Sequence, residues 1–315
     1  MTTTPTPHAA PAAQARASAK PRPKAPRRTL APFAFLAPFL IPFVLFTLLP
    51  VGYAFWQSLH ATERVGGTFG RTETVFAGFR QYGEVMSEPF FTDSLLRVAL
   101  FALVQIPVML ALALALALLL DSAVSRLKRF FRLVYFVPYG IPGVVAALMW
   151  AFLYDPRLSP IVDVLRSVSV DVDFLGPGAI LFSIGNVVTW TYTGYNMLIM
   201  YAALQAVPAD LSEAARVDGA SAWTIAMRIK VPIIRPAMVL TGVFSLIGTF
   251  QLFTEPQVFR AISTSVTSTY TPNLAAYSLA AADRYSEAAA LSVLLAVATF
   301  VLSFLFLRLT SRGQK

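Results

Sequence analysis

The chain contains no cysteine. That excludes a disulfide framework, a thiol nucleophile and a thiolate metal site together. Histidine is almost as scarce: His8 and His60 are the only two, and His8 stands in a Pro/Ala-rich stretch. A His-based metal site or a nucleophile–His triad is therefore not expected, and no catalytic or metal-ligating residue is assigned. Charge is the third shortage. Only 13% of the residues are Asp, Glu, Lys or Arg, where soluble domains carry about 25%. Hydrophobic residues make up 57%. A chain this poor in charge and this rich in apolar side chains reads as a membrane protein.

Six stretches are apolar enough to cross about 30 Å of hydrocarbon, which takes about 20 residues of helix. They run 33–56, 95–120, 134–154, 179–203, 236–256 and 288–307. The expected fold is an all-α membrane protein with six transmembrane helices. Lys and Arg are uneven between the two sides: 17 fall on the side of both termini and seven on the other. That bias sets both termini in the cytosol of a multi-pass protein. The net charge of +9 then faces cytosol and anionic lipid, so no nucleic-acid partner is expected. Arg97, near the outer end of the second span, is expected to snorkel to the headgroups.

The same reading divides the chain. Residues 1–30 form a disordered basic cytosolic tail, because a Pro/Ala/Thr-rich segment buries too little apolar surface to fold alone. Residues 31–60 hold the first transmembrane helix. A secretory signal is the rival for that region, but the apolar run is too long and more spans follow. An extracytoplasmic loop covers 61–94, and a core of five helices covers 95–310, with a long cytosolic loop at 204–235. Residues 311–315 are a second cytosolic tail. Prolines recur inside the spans (Pro38, Pro42, Pro50, Pro107, Pro138, Pro142), as bending points or as simply tolerated residues.

The loop at 204–235 is not loop-like in composition. Pro208 suits a helix start, with Asp210 or Ser212 as its cap. Ala214, Ala215, Val217 and Ala220 offer a small-residue surface. Asp218-Gly219 breaks the helix, since Gly accepts the left-handed conformation of a tight reversal. A second segment carries Trp223, Ile225, Met227 and Ile229 beside Arg228 and Lys230, and Pro232 is expected to stop it. The result is two short helices across the cytosolic face. An interfacial amphipathic connector explains Trp223 and the basic residues, but not Glu213 with two alanines and a glycine at the turn.

Here the sequence resembles the permease subunits of binding-protein-dependent ABC importers, in their carbohydrate-uptake branch (maltose and glycerol-3-phosphate permease type). Their signature is Glu-Ala-Ala, three residues, Gly, then a hydrophobic-Pro element about a dozen residues on. It stands here as Glu213-Ala214-Ala215-Arg216-Val217-Asp218-Gly219, ending Ile229-Lys230-Val231-Pro232. The resemblance covers roughly residues 30–310. It includes Phe79-Arg80-Gln81-Tyr82, Phe130-Phe131-Arg132 through Pro138 and Trp150, Ala203–Pro208, and Phe253-Thr254-Glu255-Pro256. One departure stands after this point: Arg260-Ala261-Ile262-Ser263-Thr264 replaces a Gly-rich turn.

The resemblance implies a type I ABC importer permease fold with cytosolic coupling helices. It implies a second six-span permease, cytosolic ATPase subunits and an extracytoplasmic solute-binding protein as partners, in a prokaryotic cell membrane. The loop would seat in a groove of the ATPase, with Glu213, Ala214, Ala215, Asp218, Gly219 and Pro232 as coupling residues. No cofactor is implied for this chain. ATP chemistry belongs to the ATPase, and no G-x-x-x-x-G-K-[ST] loop occurs here; Gly66, Gly67 and Gly70 lack the lysine.

Asn186, Thr189, Thr193 and Asn196 share one face of the fourth span, with Trp190, Tyr192 and Tyr195 among them. Amides with aromatics suit a sugar, so Asn186, Thr189, Trp190, Thr193, Tyr195 and Asn196 form the expected substrate path. Helix–helix hydrogen bonding explains the same row equally well. Thr241, Ser245 and Thr249 make a second row with the same ambiguity. Glu255 is expected near the outer end of the fifth span, facing water in preference to a partner. Three alternatives stand beside a sugar importer: an ABC permease for a non-sugar solute, an ion-gradient-driven carrier and an intramembrane enzyme. The carrier calls for ionisable groups in mid-span. The enzyme calls for a catalytic set that nothing here assembles.

Overall fold

The computed structural model describes residues 2, 31–65, 71–122 and 127–311. Of the expected tails at 1–30 and 311–315, residues 1, 3–30 and 312–315 lie outside them, as do the glycines at 66, 67 and 70, while Ser311 ends the last helix. The chain divides into two compact units, 1–50 and 51–315.

In the first unit, α1 (Ala31–Phe43) leads into a five-residue π-helical turn (Val44–Leu48). Phe39 and Phe43 stack at 5.8 Å, and Phe35, Phe39 and Phe46 are exposed. The turn closes with the Leu49 N–H donating to Val44 O, one residue before Pro50. Helix α2 (Leu49–Ser58) follows.

In the second unit, which begins within α2 at Val51, an antiparallel hairpin comes next, β1 (His60–Val65) and β2 (Arg71–Phe76), with His60 opposite Phe76. The hairpin and α3 (Arg80–Ser87) occupy most of what reads in the sequence as loop. Helix α4 (Pro89–Asp121) follows. Its 33 residues rise about 50 Å at 1.5 Å each, well beyond the 95–120 expected. Pro89 sits in its first turn, where a missing N–H costs nothing. Arg97, expected to snorkel, donates to Tyr270 O at 2.8 Å and lies 4.5 Å over that ring.

The third expected span is two helices, α5 (Lys128–Gly140) and α6 (Gly143–Tyr154), bent by 95°. The break falls at Ile141-Pro142. Proline pushes the residue before it out of the helical region, and Ile141 sits extended at φ −80°, ψ 129°. Pro107 and Pro138 stay inside helices, so proline alone does not set the bend. After α7 (Pro160–Ser167), α8 (Ile180–Gln205) runs through the middle of this unit. Ile184, Val187, Met197 and Met200 on it are fully buried. Ala113 and Ala117 of α4 are small and fully buried in one cluster with Met197 and Met200. At Gly194 the approach is closer still: a Cβ would stand 1.7 Å from the Tyr135 carbonyl oxygen of α5.

Beyond α8 come α9 (Ala209–Val217), α10 (Ala222–Ile225), a π-helical turn (Ala226–Lys230) and α11 (Val231–Ile233). Then α12 (Arg235–Phe250) and α13 (Thr254–Arg260) form the fifth expected span, broken at 251–253. Helices α14 (Pro272–Ala281) and α15 (Tyr285–Ser311) close the unit. Among the described residues, four helical stretches are long and apolar enough to cross a membrane, or five with the bent pair. Helix α8 has the length but not the hydropathy, because its polar row dilutes it.

Candidate functional site

The segment after α8 is a helix–turn–helix built by its own backbone. Pro208 occupies the N-cap position in extended geometry. Neither Asp210 nor Ser212 caps α9, contrary to expectation: Asp210 falls in the first turn, where it meets the positive helix end, and Ser212 is buried. The C-terminal end is a Schellman motif. Gly219 N–H donates to Arg216 O (3.0 Å) and Ala220 N–H to Ala215 O (2.9 Å). Gly219 has φ +80°, the left-handed region.

Ser221 then caps α10 by accepting from Thr224 N–H at 3.2 Å, a role the sequence reading missed although a serine after a turn is its usual signal. Pro232 does not stop the second helix. The helix runs through it to Ile233, and the break comes at Ile234. The π turn before it has Val231 N–H donating to Ala226 O, the same spacing before proline as in the turn before Pro50. The widened turn accommodates a proline that would otherwise press on the preceding turn. Glu213, Ala214, Asp218, Gly219 and Pro232 are exposed, Ala215 is half-buried, and Val217 and Trp223 are largely exposed. Ile225 and Ile234 anchor the segment inward.

Nothing lies within 4 Å of a Cβ at Gly219. Substitution there meets backbone strain and no collision. Valine should cost the turn roughly 1–2 kcal/mol and asparagine less, since asparagine visits this region. For the coupling role that the family resemblance implies, the expected order of solute uptake is Gly, then Asn, then Val. Equal uptake by Gly219→Val would remove the turn from the mechanism.

A second feature ties this segment to the helices. Asp121, the last residue of α4, accepts from Gln205 Nε2 at 2.8 Å and pairs with Lys230. Lys128 donates to the Asp121 carbonyl oxygen at 3.4 Å. One residue thus gathers the ends of α4, α5 and α8 and the second short helix.

The third feature is a cavity of about 330 Å³ where α8, α12, α13 and the α5–α6 bend meet. Tyr139 stacks on Tyr195 at 4.7 Å and meets Tyr192 edge-on at 5.9 Å. Asn196, Ser245 and Thr249 supply polar atoms to the wall. Of the six expected path residues, only Tyr195 and Asn196 line this cavity. Asn186 donates to the Tyr154 hydroxyl at 2.8 Å, and Thr189 accepts from Gln105 Nε2 at 3.4 Å. Thr193 donates back to Thr189 O, and Trp190 packs edge-on to Trp150. Asn186 and Thr189 also line a second cavity between α4 and α8, and the bonds these four make are ones that helix packing uses too. Ser245 and Thr249 of the second row reach the cavity, while Thr241 donates to Met238 O. Glu255 also lines the cavity and is 8% exposed. It is therefore packed inward and does not face open water.

Residues 109–312 match the family model of the binding-protein-dependent transport system inner membrane component. The diacetylchitobiose uptake system permease protein of Streptomyces coelicolor is 28% identical, over 86% of this chain and 80% of its own length. The trehalose transport system permease protein of Mycobacterium tuberculosis is also 28% identical, over 84% of each chain. A chain of the bacterial alginate ABC transporter, solved in complex with an alginate pentasaccharide-bound periplasmic protein, superposes with a TM-score of 0.76 at 20% identity. That match covers 90% of this chain and 95% of the other, so the two share a fold.

Proposed function

Because the chain belongs to the family of binding-protein-dependent transport system inner membrane components, we propose that it is the membrane pathway subunit of an ATP-driven importer for a sugar, oligosaccharide or related polyol. Its partners are a second permease of similar build, cytosolic ATPase subunits and an extracytoplasmic solute-binding protein. ATP is hydrolysed on the separate ATPase, and this chain supplies no catalysis. It spans the membrane six times, with α8 as the polar span and the bent α5–α6 pair as another, and both termini are cytosolic.

Two observations support this reading. The exposed Glu213–Gly219 turn is held by its own Schellman motif, with Val217 and Trp223 presented outward, as a docking element needs. The relatives named for disaccharide uptake support the substrate class. The capped turn carries the coupling assignment: Glu213, Ala214, Ala215, Asp218 and Gly219 form the face offered to the ATPase, and Pro232 lies on the second helix.

Affinity capture of the tagged chain from its native membrane, with identification of the retained proteins, tests this. An ATPase and a second permease are expected to co-purify. A chain that purifies alone and transports alone would overturn the ATP-driven reading.

A further inference from the structure

Glu255 is a carboxylate 8% exposed, on the wall of the tyrosine-lined cavity. Among the described residues, its hydrogen bonding is confined to its own backbone, and no Lys or Arg lines the cavity. A buried carboxylate without a counter-charge is costly, and a ligand that donates protons or carries positive charge relieves that cost. The neighbouring groups ask for the same chemistry. Asn196 is 2% exposed and its Oδ1 has no hydrogen-bond partner among the described residues. The faces of Tyr139, Tyr192 and Tyr195 carry negative π-density, which attracts cations and packs on sugar C–H surfaces. The cavity thus combines acceptors with π-faces and has no fixed positive charge. Its volume of about 330 Å³ lies within the range of small-molecule sites.

We infer that Glu255 sets the charge of the solute that passes: the cavity takes neutral and amine-bearing saccharides and turns back acidic ones such as uronates and sugar phosphates. This rests on the saccharide-import reading above and deepens it. The carboxylate pairs with an ammonium or hydroxyl donor, and Asn196 Oδ1 accepts a second donor. An anionic group in the same place meets a like charge at short range in a poorly screened site. That repulsion weakens binding by roughly tenfold or more.

The test uses three disaccharides with one linkage and ring shape: chitosan disaccharide (two free amines), cellobiose (neutral) and a diuronate analogue. Binding of each is measured by calorimetry on the assembled complex in nanodiscs. The expected order is diamine, then neutral, then diuronate, with at least about a tenfold gap between the extremes. Glu255→Gln should close that gap by weakening the diamine and admitting the diuronate. Gln251→Glu, at an exposed position on the same wall, should widen it, and keeps the test decisive if Glu255→Gln fails to fold. A diuronate bound as tightly as the diamine by the unaltered protein overturns the charge filter and leaves saccharide import standing. Failure to bind any of the three overturns the proposal for this cavity, and saccharide import then stands or falls on the affinity capture above.

Discussion

Alanine at Gly194 lowers the thermal midpoint of the folded protein and removes most of its uptake. The Cβ it introduces would stand 1.7 Å from the Tyr135 carbonyl oxygen and 2.5 Å from its carbon. These are backbone atoms of α5, so no rotamer change relieves the clash. Helix α5 must withdraw from α8 by more than an ångström. Overpacking of this kind costs about 1–3 kcal/mol, and an immovable backbone neighbour puts this site at the upper end. The displacement also reaches the cavity. Tyr139 lies one helical turn beyond Tyr135, and its partner Tyr195 directly follows Gly194. Their 4.7 Å stack exists only while the two helices touch. Uptake should therefore fall by roughly tenfold or more, beyond what the stability loss alone explains. Gly83→Ala, where nothing lies within 4 Å, is the control and should leave both quantities unchanged or slightly improved. An unshifted midpoint with full uptake in Gly194→Ala would mean that α5 and α8 are not in contact there.

The contrast between Gly219 and Gly194 shows what the sequence exposes and what it hides. Gly219 is legible because the interactions that require it are local: they lie within the same turn, at Ala215 and Arg216. Gly194 is needed by a helix about sixty residues earlier in the chain, and no local pattern announces that. The polar row on α8 is only partly readable for the same reason. Spacing shows that Asn186, Thr189, Thr193 and Asn196 share a face, but not which neighbour each edge of that face meets. Tyr154 and Gln105 claim two of them, and the cavity takes Asn196. A place near the end of a span favours a water-facing Glu255, yet it is buried on the cavity wall, a face that spacing alone does not give. Proline gives a partial signal. It marks where a break can occur, as at Pro142, yet Pro107 lies inside an unbroken α4. The family motif made the fold and the turn readable. The cavity depends on pairings between distant segments, which needed the structure.

Removing the Asp121 carboxylate should uncouple ATP hydrolysis from uptake more than it unfolds the protein. The Asp121 side chain is 11% exposed and that of Lys230 is 20% exposed, so both charges are largely withdrawn from water. Asp121→Ala leaves the Lys230 ammonium half-buried without its partner and frees Gln205. Breaking a fully buried pair costs about 3–5 kcal/mol, and the residual exposure of Lys230 should bring this to roughly 2–3 kcal/mol. Lys230→Met in the same background removes the stranded charge and restores most of that stability. It cannot restore the connection. In the proposed mechanism the second short helix moves with the ATPase, and the Asp121–Lys230 pair links it to the end of α4 while Gln205 adds the end of α8. The double variant should thus fold normally, hydrolyse ATP and import at a small fraction of the usual solute-to-ATP ratio. That ratio, measured in proteoliposomes, separates a mechanical link from a structural one. If the stabilised double variant imports at the ordinary ratio, the pair only holds the fold, and the motion must travel through the apolar anchors Ile225 and Ile234 instead.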